Sequence, residues 1–250
     1  MFHAHGASDK GRVRPTNEDC FAIDEVRRLC VVADGMGGHN AGEVAARLAV
    51  DTVVETVREG VEGSPFGVDP ALSDAGNLLR TAVSLASARI FETATTAHEY
   101  AGMGTTVVAA LVVQDRIAVG HAGDSRLYLF ANGRLRQLTH DDSWVANMLA
   151  DDPEADPIAL QHHPMRNALT NVVGARLRTQ VHIVEEHLGG GELLLLTTDG
   201  IHGVLDDRRI EQLLDDADDL AYTASAFVAA ALARGSRDNC TAIVARYMPD

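Results

Sequence analysis

Basic residues are scarce in this chain, and so are aromatic ones. Lysine and arginine number 21 against 36 aspartates and glutamates, which gives a formal net charge of -15, and aromatic residues make up 4% of the 250 positions. Proteins that bind the phosphate backbone of nucleic acids need clustered basic residues to displace counterions. The composition therefore argues against a nucleic-acid partner, and the core must be packed mainly from alanine, valine and leucine.

Cysteine and long apolar runs are scarce too. The three cysteines, Cys20, Cys30 and Cys240, form no C-x-x-C pair, and we expect them to be small buried residues in a reducing compartment. No stretch reaches the roughly 18 apolar residues that a membrane span requires, and residues 1–14 lack the apolar region of a signal peptide. We therefore expect a cytoplasmic monomer with no membrane partner, folded as a single domain over 1–250.

Hydrophobic periodicity divides the chain into blocks of helix and strand. The run at 29–33 is apolar and β-branched and stops at Asp34, as expected of a buried strand. From 105 to 138 short β-rich runs follow one another, with Asn132-Gly133 as a hairpin turn, which predicts an antiparallel meander. A mostly antiparallel sheet covered by helices is the predicted fold class. The predicted helices are 42–57, 77–95 (capped by Ser73 or Asp74), 207–214 and 220–234, and the predicted strands are 29–33, 105–113, 117–121, 126–130, 135–138, 193–198 and 241–247.

The segment after these central strands has a different composition. Residues 141–160 contain many aspartates, few large apolar residues and two prolines, Pro153 and Pro157. Such a segment favours an irregular surface excursion, with one helical turn around 144–149. We expect a mobile flap, inserted into the domain at about 141–169.

Five acidic motifs, far apart in the chain, end a predicted strand or lie in a turn beside glycine. A single aspartate after an apolar run is usually a turn residue, because its side chain caps backbone N–H groups. Several carboxylates brought together in one fold would repel one another unless a cation neutralised them. Their ligand atoms are all oxygen, which suits Mg²⁺ or Mn²⁺ rather than Zn²⁺. The motifs are Asn17-Glu18-Asp19, Asp34-Gly35-Met36-Gly37-Gly38-His39, Gly123-Asp124-Ser125-Arg126, Thr198-Asp199-Gly200 and Arg237-Asp238-Asn239.

Arg14 is a candidate phosphate ligand, because it lies four residues before Glu18. A guanidinium close to a carboxylate metal site can offer two N–H donors in a fixed fork to two phosphate oxygens. Taken alone, an arginine at this position is more simply a surface residue.

Together these motifs resemble the metal-dependent protein phosphatases of type 2C, in their compact bacterial form. The pieces occur in the expected order and spacing from Ser8 to Tyr247, which is far more specific than any single motif. The resemblance implies an α+β fold, a four-layer α-β-β-α sandwich in which two packed, mainly antiparallel sheets are each covered by helices. The residues that carry the resemblance are the five acidic motifs, the run Ser8 to Asp19, Gly102-Met103-Gly104-Thr105-Thr106, Gly120-His121-Ala122 and Cys240-Thr241.

The resemblance also implies a metal centre at one end of the sandwich. Asp34 would bridge two ions, and Asp199 and Asp238 would complete the first. The Gly35 carbonyl would contribute to the second ion.

Further residues would complete this centre. Asp19 would reach the second ion directly or through water, and Glu18 is a weaker ligand candidate. Asp124, together with Asp199, would hold a third ion, so that two or three Mn²⁺ or Mg²⁺ ions are expected. The pair Thr105-Thr106 is expected to serve in packing.

The activity implied by the resemblance is that of a serine/threonine phosphoprotein phosphatase. A hydroxide bridging two divalent ions would attack phosphorus directly while Arg14 and the metals hold the phosphate oxygens, so that no protein nucleophile is needed. The partners would be phosphorylated proteins, the substrates of a Ser/Thr kinase. His39 is a candidate general acid for the departing seryl or threonyl oxygen, since an imidazole titrates near neutral pH. The alternative is a histidine that caps the following helix.

The chain departs from the family pattern at the base of the flap. Relatives usually carry an Asp-His-Ser type run there, whereas this chain has Asp141-Asp142-Ser143, so the histidine is missing from that position. Downstream, the run His163-Pro164-Met165-Arg166-Asn167 fits the pattern. We do not expect His162 and His163 to be metal ligands, because adjacent side chains point apart and a proline follows.

Other interpretations stay open on sequence alone. Gly35 to Gly38 is rich in glycine like a nucleotide-binding loop, but no Lys-Ser/Thr follows it. A catalytically silent phosphoprotein-binding module could have the same fold, although such a protein would be expected to have lost metal carboxylates. A phosphatase in a partner-switching regulatory circuit would share the sequence features of a general opponent of Ser/Thr kinases.

Overall fold

A computed structural model describes residues 1–38, 41–61, 63–96, 98–152, 155–156, 159–160 and 163–249. Within these ranges no helix is both long and apolar enough to cross a membrane. The strands are β1 (Phe2–Asp9), β2 (Asp19–Asp24), β3 (Leu29–Met36), β4 (Gly104–Thr105), β5 (Val107–Val113), β6 (Arg116–Ala122), β7 (Arg126–Ala131), β8 (Arg134–Gln137), β9 (His182–His187), β10 (Leu193–Thr197) and β11 (Cys240–Tyr247). The α-helices are α1 (Ala41–Glu59), α2 (Asp74–Thr96), α3 (Trp144–Asp151), α4 (Asp199–His202), α5 (Asp207–Asp215) and α6 (Leu220–Ala233).

The strands form two antiparallel sheets. The first has the strand order β1-β11-β10-β7-β8, and the second has the order β2-β3-β5-β6-β9 with β4 paired to β3. The two ends of the chain meet in the first sheet, where β1 pairs with β11 from Phe2↔Tyr247 to Asp9↔Cys240.

Alternate side chains of the central strands pack into different layers, as the two-residue period of a strand requires. On β3, Cys30 and Val32 lie in the space between the two sheets, whereas Leu29 and Val31 pack against α1 and α2. The leucines of β10 are divided in the same way between the inter-sheet core and the layer of α4, α5 and α6. The predicted four-layer α-β-β-α sandwich is thereby confirmed.

The helix predictions are correct to within two residues at their ends, except at the start of α2. This helix begins at Asp74, three residues before the predicted start at Asn77. Ser73 accounts for the early start, because its hydroxyl accepts a hydrogen bond from the Gly76 N–H at 3.2 Å and thereby satisfies a donor of the first turn.

The strand predictions need three corrections. The predicted meander is wrong, because β5 and β6 belong to one sheet and β7 and β8 to the other. Strand β3 does not stop at Ala33 but continues to Met36, since Gly35 and Met36 pair with β4. Strands β1, β2 and β9 were absent from the prediction, and the side chains of β2 and β9 are mostly half-buried, so that they lack a strong apolar pattern.

The two ends of the predicted flap lie side by side. Ser143 caps α3 by accepting a hydrogen bond from the Ala146 N–H at 3.2 Å, and the Trp144 N–H donates to the Ala168 carbonyl at 2.8 Å. The helical turn predicted around 144–149 is therefore α3. The organisation as one domain with a mobile insertion at 141–169 stays a prediction.

Candidate metal centre

The predicted acidic ligands lie at one end of the sandwich, where strands of both sheets begin or end. Asp19 begins β2 and lies opposite Asp34 on β3. Asp199 follows β10, Asp238 shortly precedes β11, and Asp124 lies in the turn between β6 and β7. The fold thus brings together acidic residues that are far apart in the sequence; we call Asp19, Asp34, Asp124, Asp199 and Asp238 the acid cluster.

The backbone of Asp34 is held by two buried threonines. The Asp34 N–H donates to Thr106 Oγ1 at 3.0 Å, and the Asp34 carbonyl accepts from the Thr106 N–H at 2.9 Å and from Thr105 Oγ1 at 2.8 Å. Both hydroxyls are engaged with the protein itself, as the predicted packing role requires.

The side chain of Asp19 connects the two sheets. Its Oδ2 accepts hydrogen bonds from Thr198 Oγ1 at 2.9 Å and from Thr241 Oγ1 at 2.6 Å. Thr241 lies on β11 of the first sheet, and Thr198 directly follows β10 of the same sheet. Its Oδ1 is buried and has no partner in the described structure. Asp19 is therefore fixed in position with one oxygen left over.

Glycines allow the backbone segments of the site to approach one another. A Cβ atom at Gly35 would lie 2.0 Å from the Gly42 carbonyl oxygen, and one at Gly200 would lie 1.8 Å from the Asn239 carbonyl oxygen. The side-chain oxygen of Asn239 also accepts the Glu18 N–H at 2.8 Å. Any larger residue at 35 or 200 would push the motifs apart.

Burial and mutual repulsion raise the pKa values of these carboxyl groups. Burial, followed by the charges of Asp19 and Asp199, raises the pKa of Asp34 well above its usual range. Burial is also the main cause that raises the pKa of Asp19 and of Asp124 to about 7 and the pKa of Asp199 to about 6. The pKa of Glu18 is raised for the same reason. Such a group of acids is costly to hold together near neutral pH without a countercharge.

The donor set fits hard divalent cations. Three buried carboxylate oxygens have no hydrogen-bond partner in the described structure, namely Glu18 Oε1, Asp19 Oδ1 and Asp199 Oδ1. Over the described ranges, however, no group of three or more His, Cys, Asp or Glu side chains is arranged so that it could hold a metal ion without other ligands. Water and backbone carbonyls such as that of Gly35 would have to supply the remaining ligands, which is usual for Mg²⁺ and Mn²⁺.

Arg14 lies at the rim of the acid cluster and is paired with one of its members. Its Nη2 is 2.6 Å from Asp238 Oδ2, and its side chain is 48% exposed. This hydrogen bond raises the pKa of the Arg14 guanidinium further above its usual value. This position beside the acid cluster is compatible with a phosphate ligand. It is equally compatible with the alternative interpretation, a surface arginine.

A cleft runs from the acid cluster towards the flap. Asp124, Asp199, Arg126, Arg166 and His202 are among the residues that line it. No role was predicted for the last three. Arg126 and Arg166 carried a signal, because each belongs to a run that fits the family pattern, whereas His202 carried none. Arg126 forms a three-bond ion pair with Asp141 at 2.7 to 3.2 Å.

Two of the predicted histidines, His39 and His162, lie outside the described residues. His163 belongs to the flap, where its ring stacks on Trp144 with 4.2 Å between the ring centroids. Its Nδ1 accepts the Met165 N–H at 3.1 Å. His163 is thus an exposed residue whose contacts lie within the flap.

We expect Asp124→Ala to slow turnover while leaving the tightest metal sites intact. Asp124 comes from the turn at Gly123, whereas the other members of the acid cluster flank β2, β3, β10 and β11. Calorimetric titration with Mn²⁺ tests this, with Asp115→Asn in the exposed β5–β6 turn as the control. Loss of the tightest sites in Asp124→Ala would show that Asp124 belongs to the core of the metal centre.

Comparisons with known proteins identify the family of this chain. The family model described as protein phosphatase 2C matches residues 11–235. The serine/threonine phosphatase stp of Listeria monocytogenes is 32% identical over 249 residues, covering 97% of this chain and 95% of that protein. The structure of the serine/threonine phosphatase Stp1 from Staphylococcus aureus has a TM-score of 0.87 at 30% identity, covering 99% of this chain and 95% of that one. The catalytic domain of the serine/threonine protein phosphatase PstP, in complex with two manganese ions, has a TM-score of 0.82 at 30% identity, with 99% and 98% covered. The chain belongs to the protein phosphatase 2C family.

Proposed function

We propose that this chain, a metal-dependent serine/threonine protein phosphatase of the 2C family, hydrolyses phosphoserine and phosphothreonine in proteins by direct attack of water on phosphorus. The observation that carries the proposal is the acid cluster, which joins both sheets beside Arg14 and leaves buried carboxylate oxygens unpartnered. When bound, two Mn²⁺ or Mg²⁺ ions would lower the pKa of a water so that it attacks at neutral pH.

The residues of this chain would position the substrate around that water. Asp34 would be the ligand shared by two ions, Asp199 would be a ligand of the first, and Asp19 is held between Thr198 and Thr241. Arg14, half-exposed at the rim, would donate two guanidinium hydrogen bonds to the phosphate oxygens and balance the charge that develops on them.

Cys30 and Cys240 give no competing route through a thiolate. Cys30 and Cys240 are buried, and burial raises the pKa of each thiol above its usual value. A thiol is nucleophilic only as the thiolate. The absence of a reactive thiol at these positions favours water as the direct nucleophile.

Release of phosphate tests the proposed activity. The purified protein with Mn²⁺ should release phosphate from phosphoserine and phosphothreonine peptides. Binding of such peptides without release would favour the silent phosphoprotein-binding module instead. A nucleotide loop at Gly35 to Gly38 is disfavoured because no Lys-Ser/Thr follows it.

The physiological setting belongs to the proposal as well. We infer a cytoplasmic monomer that acts on proteins phosphorylated by a Ser/Thr kinase, with no nucleic-acid partner, in keeping with the net charge of -15. Phosphoproteomics of a deletion strain would identify the substrates and separate a general opponent of kinases from a partner-switching circuit. Light scattering would measure the oligomeric state.

We expect His39→Ala to slow dephosphorylation of a phosphoserine peptide by about 10²-fold while barely changing hydrolysis of p-nitrophenyl phosphate. A serine alkoxide is a very poor leaving group without a proton, whereas p-nitrophenolate leaves unprotonated. Steady-state kinetics on the two substrates provide the measurement. Equal losses on both would indicate a structural role such as helix capping, and no loss on either would remove His39 from the site.

A further inference from the structure

A second polar network lies at the base of the flap, separate from the acid cluster. Asp142 Oδ1 is 3.0 Å from Nε2 of His182 on β9. Asp142 Oδ2 accepts the Gly123 N–H at 3.0 Å and the side-chain amide of Asn171 at 2.7 Å. These hydrogen bonds give both Asp142 oxygens a partner. A carboxylate that is only 13% exposed requires such partners.

The backbone makes the same connection. The Asp142 N–H donates to the Gly123 carbonyl at 3.0 Å, and the Asp142 carbonyl accepts the Thr170 N–H at 2.8 Å. Gly123 directly precedes Asp124 and has a φ of 97°, which a residue other than glycine rarely adopts. Both polar groups of the Gly123 backbone are thus bound by Asp142, so the position of the Asp124 turn depends on the flap base.

The imidazole in this network comes from β9 of the second sheet. His182 brings its ring to the flap base, where Nε2 lies 3.0 Å from Asp142 Oδ1. His182 lies opposite His121 of β6, and the two rings stack with 5.0 Å between their centroids. His121 is 1% exposed, so His182 is held between a buried ring and the Asp142 carboxylate.

We propose that Asp142 and His182 form a positioning pair that holds the Gly123 turn, and through it Asp124, against the flap base. This inference rests on the proposed function, in which Asp124 contributes to a metal site. Neither residue touches the acid cluster through a hydrogen bond in the described structure, and the pair acts on Asp124 only through Gly123.

Exchanging the two residues tests the pair directly. The single variants Asp142→His and His182→Asp place like groups opposite each other, whereas the double exchange recreates a carboxylate and an imidazole in contact. Mn²⁺ calorimetry should show each single variant binding about tenfold more weakly at the Asp124 site, a typical cost of losing an outer-shell contact. The tighter sites should be unchanged, and the double exchange should recover most of the lost affinity.

Conservative and control variants keep the test decisive. His182→Gln retains a donor for Asp142 and should bind Mn²⁺ nearly as the wild type does. His187→Gln alters another His–Asp pair on β9, His187 with Asp115 at 3.6 Å and largely exposed, and should have no effect.

Several results would overturn the proposal. They are wild-type Mn²⁺ binding in both single variants, a double exchange no better than the worse single variant, or equal losses in His182→Gln and His182→Asp. Phosphopeptide hydrolysis by the wild type is measured separately, so failure of the proposed function is distinguishable from failure of the positioning pair.

Discussion

Excess EDTA is expected to abolish phosphopeptide hydrolysis by this chain, and added Mn²⁺ or Mg²⁺ is expected to restore it. The site offers only oxygen ligands, several of them buried without a partner, and the proposed nucleophile is a water that the bound ions would activate. Phosphate release before chelation, after chelation and after metal addition provides the measurement. Full turnover in excess chelator would contradict the metal-dependent mechanism.

The stabilisation that the metal provides should depend on pH. Carboxyl groups whose folded-state pKa is raised, such as those of Asp19 and Asp124 at about 7 and Asp199 at about 6, are neutral in the folded metal-free protein below that range. As pH rises through it, they ionise and repel one another, and the metal-free fold loses stability. Metal ions compete with these protons and neutralise the repulsion at higher pH.

We therefore expect the gap in melting temperature between metal-loaded and chelated protein to be wider at pH 7.5 than at pH 6. Groups outside the site, such as the buried His121, whose pKa is lowered to about 4 chiefly by burial, contribute equally to both forms and cancel in the difference. Differential scanning fluorimetry at the two pH values measures the gap. A gap that narrows towards pH 7.5 would contradict this account.

Asp34→Asn should have the largest effect of any single substitution, a loss of about 10³-fold in turnover, at the upper end of what removing one electrostatic stabiliser costs. The charges of all the other members of the acid cluster raise the pKa of Asp34, namely those of Asp19, Asp199, Asp124 and Asp238. If it serves two ions, its loss weakens both metal binding and activation of the water. Turnover at saturating Mn²⁺ and calorimetric titration measure the two effects.

Asp51→Asn, an exposed carboxylate on α1, provides the matched control and should leave turnover and metal binding unchanged. The substitution at Asp34 leaves the hydrogen bonds from its backbone to Thr105 and Thr106 in place, so unfolding should not account for the loss. A larger loss of turnover in Asp199→Asn than in Asp34→Asn would show that Asp34 is not the ligand shared by two ions.

Much of the fold and the candidate site could be predicted from local sequence. The helices followed from apolar residues recurring at three- and four-residue spacing, and the buried strands β3 and β10 from short apolar runs that stop near an aspartate. The acidic motifs, each beside a glycine, indicated which residues would be candidate ligands. These features depend on residues close together in the chain, where periodicity and turn chemistry decide the structure.

Assignments that depend on distant partners could not be predicted in this way. Strand β9, with mostly half-buried side chains, has no strong pattern of its own and is defined by its pairing with β6. The meander was predicted wrongly because the chain changes sheet at Gly123, and nothing in the local sequence distinguishes a turn within a sheet from a turn between two sheets.

The sequence by itself determined which groups are available to the candidate site, since aspartates beside glycines and Arg14 are fixed by residue type alone. The tertiary structure decided how those groups meet. It placed Asp19 between Thr198 and Thr241, paired Arg14 with Asp238, and brought His182 to Asp142 at the flap base. Contacts between residues so far apart in the chain depend on which strands pair and how the two sheets pack, because a contact requires proximity in space and sequence spacing specifies only neighbours along one element.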